Sequence, residues 1–163
     1  MKVIHIFGDN YSGYFRKSRV ACRACIRKDG KLLLSYETKT GQWMLPGGGL
    51  EEGETDAECC VREVEEETGS LVEASACFLE IDEYYEDVQW VNRYFLCSVI
   101  GEGRRRLTQQ EAAEGLEPRW LPFDEIKEIF SGHQAYADTD EMRRGLYQRE
   151  YTALCELEKV IEA

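Results

Sequence analysis

The stretch from Gly47 to Leu71, GGGLEEGETDAECCVREVEEETGSL, constrains the fold more than any other part of the chain. It joins three consecutive glycines to a helix marked at both ends. Thr55 and Glu58 stand as T-x-x-E, a capping box in which each side chain takes an otherwise unpaired backbone N–H. Gly69 stands where a left-handed C-terminal cap belongs, so the spacing predicts a helix over 55–68. At about 100° per residue, Ala57, Cys60, Val61, Val64 and Thr68 share one face, which packs inward. Glu63, Glu66 and Glu67 fall within an arc of about 100° on another face.

Those three glutamates are spaced i, i+3 and i, i+4, where like charges destabilise a helix. A plain solvated helix mixes in lysines, but Arg62 is the only cation between Thr55 and Thr68. Carboxylates converging on one patch suit a hard cation such as Mg²⁺, which takes oxygen ligands and retains some waters. The glycines before the helix let a backbone carbonyl approach the same patch. For the helix taken alone, an acidic solvated surface is an equally good reading, because the chain is rich in glutamate.

The remaining segments read as strands and helices in alternation. Residues 3–7 form a short edge strand ended by the turn residues Gly8-Asp9-Asn10. Residues 20–27 and 31–36 flank Lys28-Asp29-Gly30, where Asp-Gly signals a hairpin. Residues 41–53 read as loop, and 71–85 and 88–100 as two further strands rich in β-branched and aromatic residues. A turn follows at Gly101-Glu102-Gly103, with Arg104-Arg105-Arg106 as its solvated end and a polar loop reaching to 118. Residues 119–122 form a last short strand, and 124–130 a helix capped by Asp124. Met142, Leu146, Tyr147, Leu154, Leu157 and Ile161 recur at helical spacing, which predicts one long amphipathic helix at the C-terminus. This pattern over 163 residues predicts a single α/β (α+β) domain, 1–163, with a mixed sheet covered by helices.

The formal net charge of −12 argues against duplex nucleic acid as a partner. It does not argue against small anionic substrates, because a bound divalent cation reverses the local sign of a site. Of seven cysteines, only Cys22 and Cys25 form a C-x-x-C pair, and no second pair completes a zinc set. On a strand these two point to opposite faces, so the cysteines read as buried reduced thiols. No apolar run of about 18 residues is present, and the first residues lack a signal-peptide pattern, so the expectation is a cytoplasmic protein without a membrane partner.

From 48 to 70 the chain resembles the Nudix box, G-x5-E-x7-R-E-U-x-E-E-x-G-U, where U is a bulky aliphatic residue. Gly48, Glu54, Arg62, Glu63, Val64, Glu66, Glu67 and Gly69 fall in place; Ser70 departs, with Leu71 after it. Trp120-Leu121-Pro122-Phe123-Asp124-Glu125 is similar to a segment that precedes the last helix in Nudix proteins. The resemblance implies a Nudix-like α/β/α sandwich with a C-terminal helix. It implies a metal-dependent pyrophosphohydrolase, which cuts a phosphoanhydride bond in a nucleoside diphosphate linked to another group. It further implies that Glu63, Glu66 and Glu67 hold Mg²⁺ or Mn²⁺ with the Gly48 carbonyl. Arg62 would orient the glutamates and pair with Glu54, completing the catalytic set. The general base would be Glu63, or a loop glutamate such as Glu111 or Glu114, each of which is otherwise an ordinary exposed residue.

Substrate choice in the family lies outside the box. Arg19, Arg23 and Arg27 share one strand face, where Arg23 could meet a phosphate. Trp43, Tyr84, Tyr85, Trp90 and Tyr94 are rings for stacking on a base or for packing. Tyr85 stands where Nudix members acting on diadenosine polyphosphates tend to carry tyrosine. Members acting on ADP-ribose tend to carry a proline in that region, and none lies between Pro46 and Pro118. The partner expected is a small nucleotide-type molecule, with oxidised nucleoside triphosphates as the runner-up substrates. The C-terminal helix serves either a homodimer or the cover of the core. The alternative to an enzyme is a Nudix-like nucleotide-sensing module, whose usual sign, loss of box glutamates, is missing here.

Overall fold

The computed structural model describes residues 1–163. In chain order the elements are β1 (Lys2–Phe7), β2 (Lys17–Lys28), β3 (Lys31–Glu37), β4 (Gln42–Met44), β5 (Gly47–Gly49), α1 (Asp56–Thr68), β6 (Ser70–Tyr85) and β7 (Val88–Glu102). Then follow α2 (Gln109–Ala113), β8 (Leu116–Pro122), α3 (Phe123–Ser131), a 3-10 turn (Gly132–Tyr136) and α4 (Glu141–Glu162). The sheet runs β1-β6-β7-β2-β3-β4, with β5 paired to β2 and β8 to β3. β1 lies parallel to β6, and β2 parallel to β7. The other pairings are antiparallel, so the sheet is mixed. Asp29 (φ 52°) and Gly30 (φ 76°) make the turn that folds β2 back onto β3, the conformation that a tight hairpin needs at both central positions.

β2 divides the core between its two faces by alternation. Cys22, Ala24 and Ile26 pack with Cys59, Cys60 and Val64 of α1. Cys25 packs on the other face with Leu79, Ile81 and Tyr94, under Phe130 of α3 and Tyr147, Leu154 and Leu157 of α4. Two helical layers therefore enclose the sheet, as an α/β/α sandwich. All seven cysteines are free, and the C-x-x-C pair is split between the two faces. No helix is long and apolar enough to cross a membrane.

Several boundaries differ from the sequence reading. The stretch 41–53 contains β4 and β5, which are held by backbone pairing and carry no apolar alternation. The stretch 104–118 contains α2, capped by Thr108 and Glu111, and the start of β8. β7 continues through Gly101 to Glu102. Pro122, not Asp124, precedes α3; Asp124 lies in its first turn, where a carboxylate favours the helix dipole. Met142 is 88% exposed and does not join the buried stripe of α4. β1 is an edge strand, as its sequence suggests.

Candidate active site

The end caps fix where α1 starts and stops, and so where its carboxylates point. Thr55 Oγ1 accepts from the Glu58 N–H, and Glu58 Oε2 accepts from the Thr55 N–H. Gly69 closes the helix in the left-handed conformation at φ 76°. The last turn of α1 carries no basic side chain. That need is met from outside: the Arg106 N–H donates to the Glu66 carbonyl (2.8 Å), and the Arg106 guanidinium lies 3.9 Å from the Glu66 carboxylate. Nothing local in the sequence marks Arg106 for this place.

The glycines of β5 bring a second backbone against the helix. A Cβ on Gly47 would run into the Cys22 carbonyl, and one on Gly48 would fall within contact distance of the Glu63 carboxyl group. At Gly47 only glycine allows β5 to approach β2 so closely, whereas at Gly48 the group met is the movable end of the Glu63 side chain. The Cys59 thiol donates to the Gly48 carbonyl at 3.5 Å, on the side facing α1.

Arg62 is the hub of the carboxylates. Its Nε and Nη2 donate to both oxygens of Glu54, at 2.6 and 3.1 Å. Nη1 reaches Glu63 (2.9 Å) and Glu66 (3.3 Å), and Nη2 reaches the Gly49 carbonyl (3.1 Å). Such a forked pairing lowers the Glu54 carboxyl from its ordinary value, chiefly through the Arg62 hydrogen bond. Glu63 shifts the other way, because burial outweighs the help of Arg62.

Glu67 behaves differently from its neighbours. It is 4% exposed, and its Oε2 accepts from Ser35 Oγ (3.0 Å) and the Gly47 N–H (3.2 Å). Burial pushes its carboxyl up to about 8, against the pull of those two donors. Glu111 adds negative potential at both Glu63 and Glu67, so α2 brings it within electrostatic reach of the box. Its Oε1 meanwhile accepts from the Thr108 N–H. Glu114 turns elsewhere, toward Gln110 and Glu37.

The substrate candidates separate into those that border a cleft and those that are packed away from it. Arg19, Arg23, Tyr85 and Trp90 border a cleft of ≈ 940 Å³ on the α4 side of the sheet, together with Gly48 and Gly49. Tyr94 is fully buried, Trp43 packs on Tyr36, and Tyr84 stacks on Phe7 at 4.7 Å. These three serve packing. Arg27 lies at the hairpin end, paired with Leu32 and outside the cleft lining.

Residues 16–141 match the family model described as "NUDIX domain". The chain belongs to the Nudix family. A human 8-oxo-dGDP phosphatase is 34% identical over 111 residues, covering 66% of this chain and 33% of that protein. A MutT-like protein of Streptomyces ambofaciens is 35% identical over 105 residues, covering 63% of this chain and 62% of that protein. The match thus spans a third of the human relative and under two thirds of the bacterial one. The solved structure of a Nudix hydrolase from Nitrosomonas europaea aligns with TM-score 0.58 and 26% identity, over 83% of this chain and 88% of that one. These relatives are named as hydrolases or MutT-like proteins, and the human one is named for a nucleoside diphosphate, 8-oxo-dGDP.

Nudix hydrolases generally use divalent metals. The donors fit such an ion in kind: carboxylates and a backbone carbonyl are hard oxygen ligands. Their present arrangement is ion-paired. No three His, Cys, Asp or Glu side chains are gathered closely enough to hold a metal, because Arg62 takes Glu63 and Glu66 while Glu67 faces Ser35 and Gly47.

Proposed function

We propose that the chain, as one functional domain over 1–163, hydrolyses a phosphoanhydride bond in a nucleoside diphosphate linked to another moiety, with Mg²⁺ or Mn²⁺. The observation that carries this reading is the clustering of Glu54, Arg62, Glu63 and Glu66 beside the Gly48–Gly49 backbone, with Glu67 buried behind them.

Glu63, Glu66, Glu67 and the Gly48 carbonyl would hold the cation, which when bound supplies charge neutralisation at the diphosphate and acidifies water. Arg62 keeps the glutamates oriented through its fork onto Glu54. Glu67 lies at the edge of the buried core, where its proton must leave before it can act as a ligand. Glu63 or Glu111 would accept a proton from the attacking water. Arg23 and Tyr85, bordering the cleft beside Gly48, contact the substrate. The name of the human relative, a phosphatase of 8-oxo-dGDP, supports a nucleoside diphosphate within the substrate class.

The test is product release from a panel of nucleoside di- and triphosphates, their oxidised forms, ADP-ribose, diadenosine polyphosphates and nucleotide sugars. It is run with Mg²⁺, Mn²⁺ or EDTA, parent beside Glu67→Gln. Turnover that requires metal and is lost in the variant is expected. Turnover in EDTA, or undiminished turnover in the variant, would refute the reading.

A further inference from the structure

β1 closes one end of the sheet, and its outer edge has no partner strand. Such edges are ordinarily blunted by a mid-strand charge, a proline, a bulge or very short length, because free N–H and C=O groups template pairing with another chain. β1, KVIHIF, has none of these guards. Its one charge is Lys2 at its first residue, and it pairs with β6 in unbroken register. Val3 is 44% exposed and Phe7 60%.

The end of the strand shows which backbone groups face outward. The Gly8 N–H donates to the Tyr84 carbonyl at 2.8 Å, toward β6. Backbone groups of successive strand residues turn alternately to the two sides. Ile6, Ile4 and Lys2 therefore face β6, while Val3, His5 and Phe7 present their N–H and C=O to the free edge. No turn, loop or cap takes a backbone bond from these three.

This edge is complementary to itself. Two copies of β1 laid antiparallel about a twofold axis at His5 set Val3 opposite Phe7 of the second copy, Ile4 opposite Ile6, and His5 opposite His5. Residues directly opposed in such a ladder exchange both bonds, so every outward group of both strands is paired. A shift by one step that keeps like faces together sets Phe7 against Met1, or Val3 against Asp9, both outside the strand. Val3 and Phe7 then cover each other on the face where Phe7 stacks on Tyr84 at 4.7 Å. Ile4 and Ile6, already against the core, extend it on the other face. The Lys2 end of each strand comes to the Gly8-Asp9 end of the other, cation to carboxylate.

We propose that the free edge of β1 is a homodimer interface, in which two copies pair β1 antiparallel about His5 and join their sheets into one. Any extended peptide would satisfy the backbone groups; this sequence against itself also matches apolar with apolar on both faces and opposite charges at both ends. The C-terminal helix, the other surface expected to serve a dimer, has its apolar stripe spent on the core. An edge of six residues makes a small interface, below about 1,200 Å², so the association is micromolar.

The experiment is sedimentation equilibrium of the full chain, with reductant, at concentrations up to about 100 μM. The parent should approach twice the 18.8 kDa chain mass. Val3→Glu places a carboxylate against Phe7 of the second copy and should be monomeric, with an unchanged circular dichroism spectrum. His5→Pro removes the outward N–H at the axis and no bond to β6, and should be monomeric as well. His5→Cys sets two thiols on Cα atoms about 5.5 Å apart, within disulfide reach, so oxidised glutathione should give a covalent dimer that the parent does not form. A parent that stays monomeric through this range, a dimer that survives Val3→Glu, or His5→Cys that does not cross-link overturns the proposal.

Discussion

Glu67 offers a test in which stability and activity move in opposite directions. Its carboxyl titrates near 4.5 in an unfolded chain and near 8 in the metal-free fold, where burial disfavours the charge. Between those pH values the folded chain keeps a proton that the unfolded chain has released, so stability falls as pH rises through the window. At about 1.4 kcal/mol per pH unit, the loss reaches at most about 3 kcal/mol by pH 7, and is under about 1 kcal/mol at pH 4.5. A glutamine has nearly the same shape, can accept from Ser35 and Gly47, and does not titrate. Glu67→Gln should therefore be more stable than the parent at pH 7 in EDTA, by several degrees in Tm for a chain of this size. The two should melt together near pH 4.5. Added Mn²⁺ should reverse the order, stabilising the parent by mass action and leaving the variant unmoved, while kcat falls by on the order of 10²-fold or more. Thermal melts at pH 4.5, 6 and 7 with EDTA or Mn²⁺ decide the matter (buffer values chosen as roughly the ends and middle of the window). A variant less stable than the parent at pH 7 in EDTA would mean that Glu67 is ionised and paired in the fold.

Three further perturbations probe the same site. Gly48→Ala places a methyl against the flexible end of Glu63, so the fold should persist while Mn²⁺ affinity drops about tenfold, as read by calorimetry. Arg62→Lys should lower kcat by about 10²-fold with an unchanged circular dichroism spectrum, because one ammonium cannot grip both Glu54 oxygens and also reach Glu63, Glu66 and Gly49. Thr55→Ala removes half of the capping box; urea melts should show a loss of about 1 kcal/mol, with kcat/KM retained because Thr55 touches no carboxylate of the site.

Features that depend on neighbours a few residues apart follow from the order of residues along the chain. The caps of α1, the spacing of Glu63, Glu66 and Glu67, the Asp29-Gly30 hairpin and the opposed faces of Cys22 and Cys25 all follow from local hydrogen bonding and from periods of 3.6 and 2. The Arg62–Glu54 pair was also legible, through the family's motif. Tertiary structure decided what becomes of those groups. A helical wheel puts three glutamates on one arc, but Glu67 also lies one turn beyond Val64, and packing against Ser35 and Gly47 drew it into the core and raised its pKa. β4, β5 and α2 went unread because backbone pairing and a remote capping box formed them without an apolar pattern. Glu83 and Arg149, a buried ion pair, carry no signal in the chain, being 66 residues apart. Their meeting is fixed by the crossing of α4 over β6, and burial and charge pairing depend on such distant partners, which no local period encodes.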